Sequence, residues 1–169
     1  MKSIKLSKGA GSIAYYHKLN HPNNWEWKLK WRPVCSSTET VLSNWIADQP
    51  VLKNQPRAFC ASRQRFGKGQ YGRIWESPKG GVWISAAIYQ DNSLAKSIEL
   101  YGLAIALALA QRIEMAGINV KIKWPNDLLV NGQKLAGFLP RLFFRGGRLR
   151  LIRVGVGLNV SNKVPKKGI

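Results

Sequence analysis

The residues best suited to chemistry cluster in Gln64 to Ser85, QRFGKGQYGRIWESPKGGVWIS. Gly67, Gly69 and Gly72 let the backbone turn tightly and come close to a ligand. Lys68 and Arg73 put positive charge into that turn, and Trp75 follows with a flat indole. Backbone donors, fixed cations and an indole together suit a nucleoside phosphate. A glycine-rich surface loop with incidental charge would carry the same letters. Gly67 to Gly72 also matches G-x-G-x-x-G, but a dinucleotide site needs that pattern to open a helix. Here Ser77-Pro78 and Gly80-Gly81 follow, which excludes a helix interior. No Gly-Lys-Ser/Thr closes a Walker loop.

A second cluster is Lys123-Trp-Pro-Asn-Asp127 with Lys134. Pro125 is expected to hold the backbone extended, and Asn126 and Asp127 offer turn chemistry. Asn131-Gly132 is a strong two-residue hairpin signal. It pairs Asp127–Val130 with 133–139 and so puts Asp127 and Lys134 on neighbouring strands. A third stretch, Gly155-Val-Gly-Leu-Asn159-Val160, ends in glycines that allow close approach by a ligand. A fourth, Cys35-Ser36-Ser37-Thr38, precedes a short helix over 39–46. Its hydroxyls either cap that helix or receive a ligand's polar group.

The elements that must position these residues follow from period and punctuation. Trp25, Trp27, Leu29 and Trp31 alternate with Glu26, Lys28 and Lys30, which predicts a strand with the apolar side chains in the core. Residues 58–61 and 82–89 read as strands, with a break at Asp91-Asn92-Ser93. Leu94 to Met115 is the main helix, apolar nearly all round between 100 and 110 and so expected to be buried, with Gly117 as its stop. Val120–Lys123 is a strand. Gly146-Gly147 marks a second hairpin joining 135–144 to 149–160, with an edge or bulge expected at Pro140.

Composition bounds the partners. The 169 residues suit one domain with a real core. They carry 27 basic against 8 acidic residues, a net charge of +19. Such an imbalance predicts polyanionic ligands, unless it is only a solvated basic surface. After Asp127 there is no acidic residue and nine basic ones follow; between Asp48 and Glu76 lie six basic residues and none acidic. Cys35 and Cys60 make neither a disulfide framework nor a metal site, so a reducing cytoplasm is expected. Neither a signal peptide nor a membrane span is predicted. Residues 1–24 read as a basic arm too short for a DNA-reading module.

Taken in order, Ser37-Thr38, the stretch from Gln64 to Trp75 with Ser77-Pro78, Lys123-Trp-Pro-Asn-Asp127 with Lys134-Leu-Ala-Gly137, and Gly155 to Val160 resemble the ordered motifs of biotin protein ligases. The resemblance covers 34–169, with 1–33 as a basic arm and strand in front. It implies an α+β domain like that of class II aminoacyl-tRNA synthetases, a mixed β-sheet backed by helices. It further implies that ATP and biotin form biotinyl-5′-AMP, with Mg²⁺, and that biotin then passes to a lysine of the biotin carboxyl carrier protein of acetyl-CoA carboxylase. A homodimer is compatible with the family.

The resemblance also implies roles. Ser37, Thr38, Glu39, Gln64, Gly67, Lys68, Gly69, Gln70 and Lys134 would bind biotin. Lys68, Arg73, Trp75, Asn126 and Asn159 would bind ATP or the adenylate, with the Trp75 indole as adenine platform. Lys134, Asp127 and Arg73 would be catalytic, Lys134 as the main electrostatic catalyst. Mg²⁺ would be held mainly through the ATP phosphates, with Asp127 as its candidate protein ligand. The departures are Lys68 and Gln70 where the family has arginines, Glu39 for asparagine, and Pro140-Arg141 for a stretch with glutamate. Gln70 predicts weaker retention of the intermediate. The family continues beyond residue 169 with more catalytic domain and a small barrel. A non-catalytic remnant that binds biotin or its adenylate, a lipoate-ligase-like relative and a basic nucleic-acid-binding protein are the competing readings.

Overall fold

The computed structural model describes residues 26–92 and 98–163. The basic arm, Trp25 and the expected helix start at Leu94 lie outside the described residues. The elements in chain order are β1 (Lys28–Arg32), α1 (Thr38–Asp48), β2 (Arg57–Ala61), β3 (Gln64–Lys68), β4 (Ile74–Ser77), β5 (Val82–Asn92), α2 (Ile98–Glu114), β6 (Lys121–Lys123), β7 (Asp127–Val130), β8 (Gln133–Arg145) and β9 (Arg148–Leu158). They form a seven-stranded sheet of order β1-β2-β5-β9-β8-β7-β6 and a separate β3–β4 ribbon. β1 and β2 are parallel and the other neighbours antiparallel, so the sheet is mixed, as expected.

The hairpins form where turn chemistry demands. Asn131 and Gly132 have φ of 50° and 77°, both left-handed, as a primed two-residue turn requires. Gly146 and Gly147 do the same between β8 and β9. The predicted break after Tyr89 becomes a register irregularity inside β5, which runs on to Asn92. Pro140 sits in β8 opposite Val154. Phe138 N–H points toward the β7 side, where it donates to Asn126 O, while β7 pairs no further than Gly137. Two residues on, the missing N–H of Pro140 therefore faces the same side beyond the end of β7, a local edge where proline costs nothing.

Alternation splits the core across the sheet's two faces. Ala87, Phe59 and Ala61 point to one side and pack with Leu42 and Trp45 of α1. Leu128, Ala136 and Phe138 point to the other and pack with Ala106 and Ala110 of α2. Arg57 anchors the far end of α1: its guanidinium donates to the carbonyls of Trp45, Gln49 and Pro50, a cation at a helix C-terminus.

Two expectations are corrected here. α2 is not buried all round: Leu100 and Leu107 are exposed, because the helix meets the sheet through one face, with Ala106 and Ala110 buried and Ile105, Leu109 and Ile113 packed beside them. Trp31 is also exposed, since among the described residues β1 is the outer strand and pairs only with β2. Gly117 ends α2 as expected, with φ 81° and its N–H on Glu114 O.

Candidate active site

The face of the sheet that carries α1 has little side chain at its centre. Ser85 and Leu139 flank Gly155 on neighbouring strands, and Gly137 pairs with Gly157. The α1 N-terminus closes one end of this floor. The β3–β4 ribbon lies over it, and the turn 124–126 and β7 close the other end. Together they enclose a cavity of about 450 Å³. Its lining brings together Ser37, Thr38, Glu39, Gln64, Lys68, Gly69, Gln70, Arg73, Trp75, Asn126, Asp127, Lys134 and Asn159, every expected site residue except Gly67. Gly67 is instead buried within the ribbon, paired with Trp75. A Cβ there would stand 2.2 Å from Trp75 O and 2.7 Å from Ser77 Oγ.

The α1 end is a buried polar network. Gln64 Oε1 accepts from Thr38 N–H at 2.7 Å and from Thr38 Oγ1 at 3.0 Å. Gln64 Nε2 donates to Ser77 Oγ at 2.7 Å, and Thr38 Oγ1 lies 2.9 Å from Ser85 Oγ. Ser37 is the N-cap by position, yet its side chain makes no capping hydrogen bond. Its hydroxyl is buried without a partner. Of the two roles open to these hydroxyls, capping is therefore not the one Ser37 performs. Glu39 is buried, with Oε1 on Arg153 Nη2 and Oε2 unpartnered. Burial pulls the Arg153 guanidinium below its ordinary pKa, and Glu39 opposes that shift.

At the opposite end, Lys134 Nζ is 2.7 Å from Asp127 Oδ2, with both side chains mostly buried. The hairpin at Asn131-Gly132 creates this pair, as its spacing predicts. Asp127 Oδ1 has no partner. Lys134 Nζ also stands 4.7 Å over the Trp75 ring. The indole lies on the glycine pair: a Cβ on Gly157 would come within 2.6 Å of it, and one on Gly137 within 2.8 Å. The close approach that these glycines allow is thus made by Trp75, whose Nε1 is itself buried and unpartnered.

The remaining expected residues hold the frame. Trp124–Asn126 form a turn rather than extended chain, with a cis bond before Pro125. Asn126 Nδ2 donates to Phe138 O at 2.7 Å. Asn159 Nδ2 donates to Lys134 O at 2.9 Å, while its Oδ1 accepts from Asn162 at 2.7 Å. Lys68 and Arg73 flank the loop between β3 and β4. There Tyr71 is 90% exposed with a left-handed φ of 54°. A strand follows this loop, consistent with rejecting the dinucleotide reading.

Sequence reasoning missed Ser85 and Arg153 as parts of this site. Ser85 meets Thr38 across 47 positions and Arg153 meets Glu39 across 114, so no local spacing could reveal them. Among the described residues no group of three or more His, Cys, Asp or Glu could hold a metal ion. No described helix is long and apolar enough to cross a membrane.

The match to the Biotin/lipoate A/B protein ligase family runs over residues 31–159. The chain is 42% identical over 139 residues to the bifunctional ligase/repressor BirA of Bacillus subtilis, covering 80% of this chain and 41% of that protein. It is 36% identical over 143 residues to biotin--protein ligase 2 of Arabidopsis thaliana, covering 81% and 42% respectively. It therefore spans about two-fifths of the length of these relatives. Among solved structures, the biotin protein ligase of Aquifex aeolicus superposes with a TM-score of 0.63 at 25% identity, covering 83% of this chain and 56% of that one. The fold is biotin-ligase-like, and the chain belongs to the biotin/lipoate A/B protein ligase family.

Proposed function

We propose that this chain activates biotin with ATP to biotinyl-5′-AMP and passes the biotinyl group to a carrier lysine. The observation that carries the reading is the pairing of two unlike ends in one cavity. One end holds unpartnered polar atoms at Ser37 and Glu39, and the other holds the Lys134–Asp127 pair over an indole. The similar Aquifex aeolicus structure is a complex with biotin and ATP, and one from Helicobacter pylori, at 27% identity, carries biotinylated ATP.

The roles follow from the chemistry each end can do. A ureido ring offers two N–H donors and one carbonyl. Ser37 Oγ can donate to the carbonyl, while Glu39 Oε2 can accept an N–H. In the first step a biotin carboxylate oxygen attacks the α-phosphorus, the bond to the bridging α–β oxygen breaks, and pyrophosphate leaves. Lys134 stabilises the charge that builds on the α-phosphate oxygens, where electrostatic catalysts contribute most. Asp127 orients Lys134 through Oδ2. In the second step the acceptor amine attacks the acyl carbon, the C–O bond to AMP breaks, and the amine loses a proton. No covalent enzyme intermediate is required. Trp75 presents a face for adenine once the ring separates it from the glycine floor.

Mg²⁺ fits as a partner of the ATP phosphates, where it would neutralise their charge. Of the two orphaned carboxylate oxygens among the described residues, Glu39 Oε2 and Asp127 Oδ1, only the latter is at the Lys134 end, in keeping with an ion held mainly by phosphate. A carrier of the acetyl-CoA-carboxylase kind is suggested by the Paracoccus denitrificans relative named biotin--[acetyl-CoA-carboxylase] ligase, 32% identical over 108 residues.

The test is mass spectrometry of the purified chain with ATP and Mg²⁺, given biotin or lipoate, with and without a biotin carrier domain. Biotinyl-AMP and a biotinylated carrier lysine are the expected products. Lipoyl-AMP alone would reassign the substrate, and no adenylate from a folded chain would refute the activity.

A further inference from the structure

The α1 end of the cavity rests on a buried ion pair, only half of which faces the cavity. Glu39 is in the lining, and Arg153 lies behind it, outside the lining. Register puts Arg153 there. Ser85 pairs with Gly155 and Ala87 with Arg153, so the arginine follows the floor glycine on the face that carries α1. Its Nη2 is within hydrogen-bond reach of three α1 atoms: Glu39 Oε1, Glu39 O at 3.1 Å and Ser43 Oγ at 2.5 Å. Arg141 Nε stands 3.8 Å from the same Oε1. Both cations therefore draw on one oxygen of the carboxylate, and among the described residues Oε2 has no partner.

Taking two charges out of water commonly costs as much as their attraction returns, so a buried pair is weak evidence of stabilisation. What this pair does supply is direction. A free carboxylate can present either oxygen; one held at Oε1 by a guanidinium presents Oε2 alone, as a fixed acceptor. We propose that Arg153 is a positioning residue that makes Glu39 Oε2 the acceptor for a ring N–H, and so restricts this end of the cavity to rings that donate hydrogen bonds. A ureido ring meets that demand. A dithiolane ring carries no N–H and would leave the charged oxygen buried and unpaired, the costlier error. The inference rests on the proposed biotin substrate. It adds what separates that substrate from lipoate, the other class that the family spans.

The test is titration calorimetry of the full chain with biotin, desthiobiotin, lipoate and ATP. Wild type should bind biotin and desthiobiotin, which share the ureido ring, and bind lipoate at least about tenfold more weakly. Arg153→Met should lower affinity for both ureido ligands about tenfold, leave ATP affinity unchanged and narrow the gap to lipoate. Arg153→Lys should recover part of the loss. The decisive readout is a reversal. In Glu39→Gln the guanidinium still holds Oε1, so the amide Nε2, a donor, faces the ring N–H and biotin affinity should fall about tenfold. Adding Arg153→Met frees that amide to turn its oxygen inward, and biotin affinity should rise again. A pair that only braces the fold cannot give this recovery. Should Arg153→Met alone fail to fold, the double variant, in which neither residue of the pair is charged, is compared with Glu39→Gln. Lipoate bound as tightly as biotin by wild type, biotin affinity unchanged in Arg153→Met, or a double variant no better than Glu39→Gln would overturn the proposal. Biotin binding that depends on Arg153, in a chain that makes no biotinyl-AMP, would refute the proposed function and keep this inference. Adenylate formation with Arg153-independent biotin binding would do the reverse.

Discussion

The α1 end of the cavity and its β3–β4 loop are built on opposite plans. At the α1 end Ser37 is 1% exposed and Thr38 4%, and the Thr38, Gln64, Ser77 and Ser85 side chains are joined by hydrogen bonds. At the loop Tyr71 is 90% exposed and Ile74 83%, and among the described residues Lys68 and Arg73 make no ion pair. The first end presents few, fixed polar atoms, which suits reading a small neutral ring. The second presents charge with little prior engagement, which suits a phosphate whose arrival supplies the missing partner. Lys134 stands at the end opposite α1, tied to Asp127 and the indole, where the two substrates would meet.

The comparison breaks most visibly at that junction. Lys134→Ala should lower adenylate formation by about 100-fold or more, the scale of losing one electrostatic stabiliser of a transition state. Quenched-flow mass spectrometry would check this. Biotin affinity should fall far less, which separates catalysis from binding.

Next in size is the glycine floor. Gly157→Val puts a branched side chain where a Cβ alone would meet the Trp75 ring at 2.6 Å. The indole must leave, so its emission should shift to longer wavelength, and ATP affinity should fall about tenfold if the ring is the adenine platform. An unshifted spectrum would place Trp75 elsewhere.

Ser37→Ala sharpens the contrast between the ends. An N-cap serine normally contributes about 1 kcal/mol. Ser37 makes no capping bond and its hydroxyl is unpartnered, so the melting temperature should hold or rise slightly while biotin affinity drops about tenfold. A clear loss of stability would mean that the hydroxyl is a cap after all.

The smallest effect concerns the thiols. Burial raises both Cys35 and Cys60 above the ordinary thiol range. Their folded-state pKa exceeds the unfolded value, so any stability they contribute is intact at neutral pH and is lost only as pH climbs through the alkaline range. Alkylation at pH 8 should be much slower than for a free thiol, and pH-dependent melting below pH 8 should not depend on them.

How much of this was legible depended on sequence distance. The Lys134–Asp127 pair could be read because Asn131-Gly132 dictates its own turn and the partners lie a few residues to either side. That no helix follows the glycine-rich stretch could be read from Ser77-Pro78 and Gly80-Gly81, but the β3–β4 ribbon could not, because the stretch reads as a loop. The strand holding Pro140 was only half legible: the proline announced an edge, but that edge exists only because β7 stops at Gly137. Arg153 could not be read at all, since an arginine in an apolar strand gives no sign of the glutamate it meets across the fold. The indole's seat on Gly137 and Gly157 depends on how the ribbon folds over the sheet, and local spacing contains nothing about that. Apolar content misjudged α2, because one face with Ala106, Leu109 and Ala110 packs on the sheet while Leu100 and Leu107 point away from it.

The most direct test is biotin-dependent exchange of labelled pyrophosphate into ATP, measured on the full chain and on Lys134→Ala. Exchange needs both substrates in one cavity and a reversible attack on the α-phosphorus, and it needs no carrier. The account predicts exchange that requires biotin and is abolished in Lys134→Ala while biotin still binds. Exchange that persists in Lys134→Ala, or no exchange from a wild-type chain that binds both biotin and ATP, would contradict it.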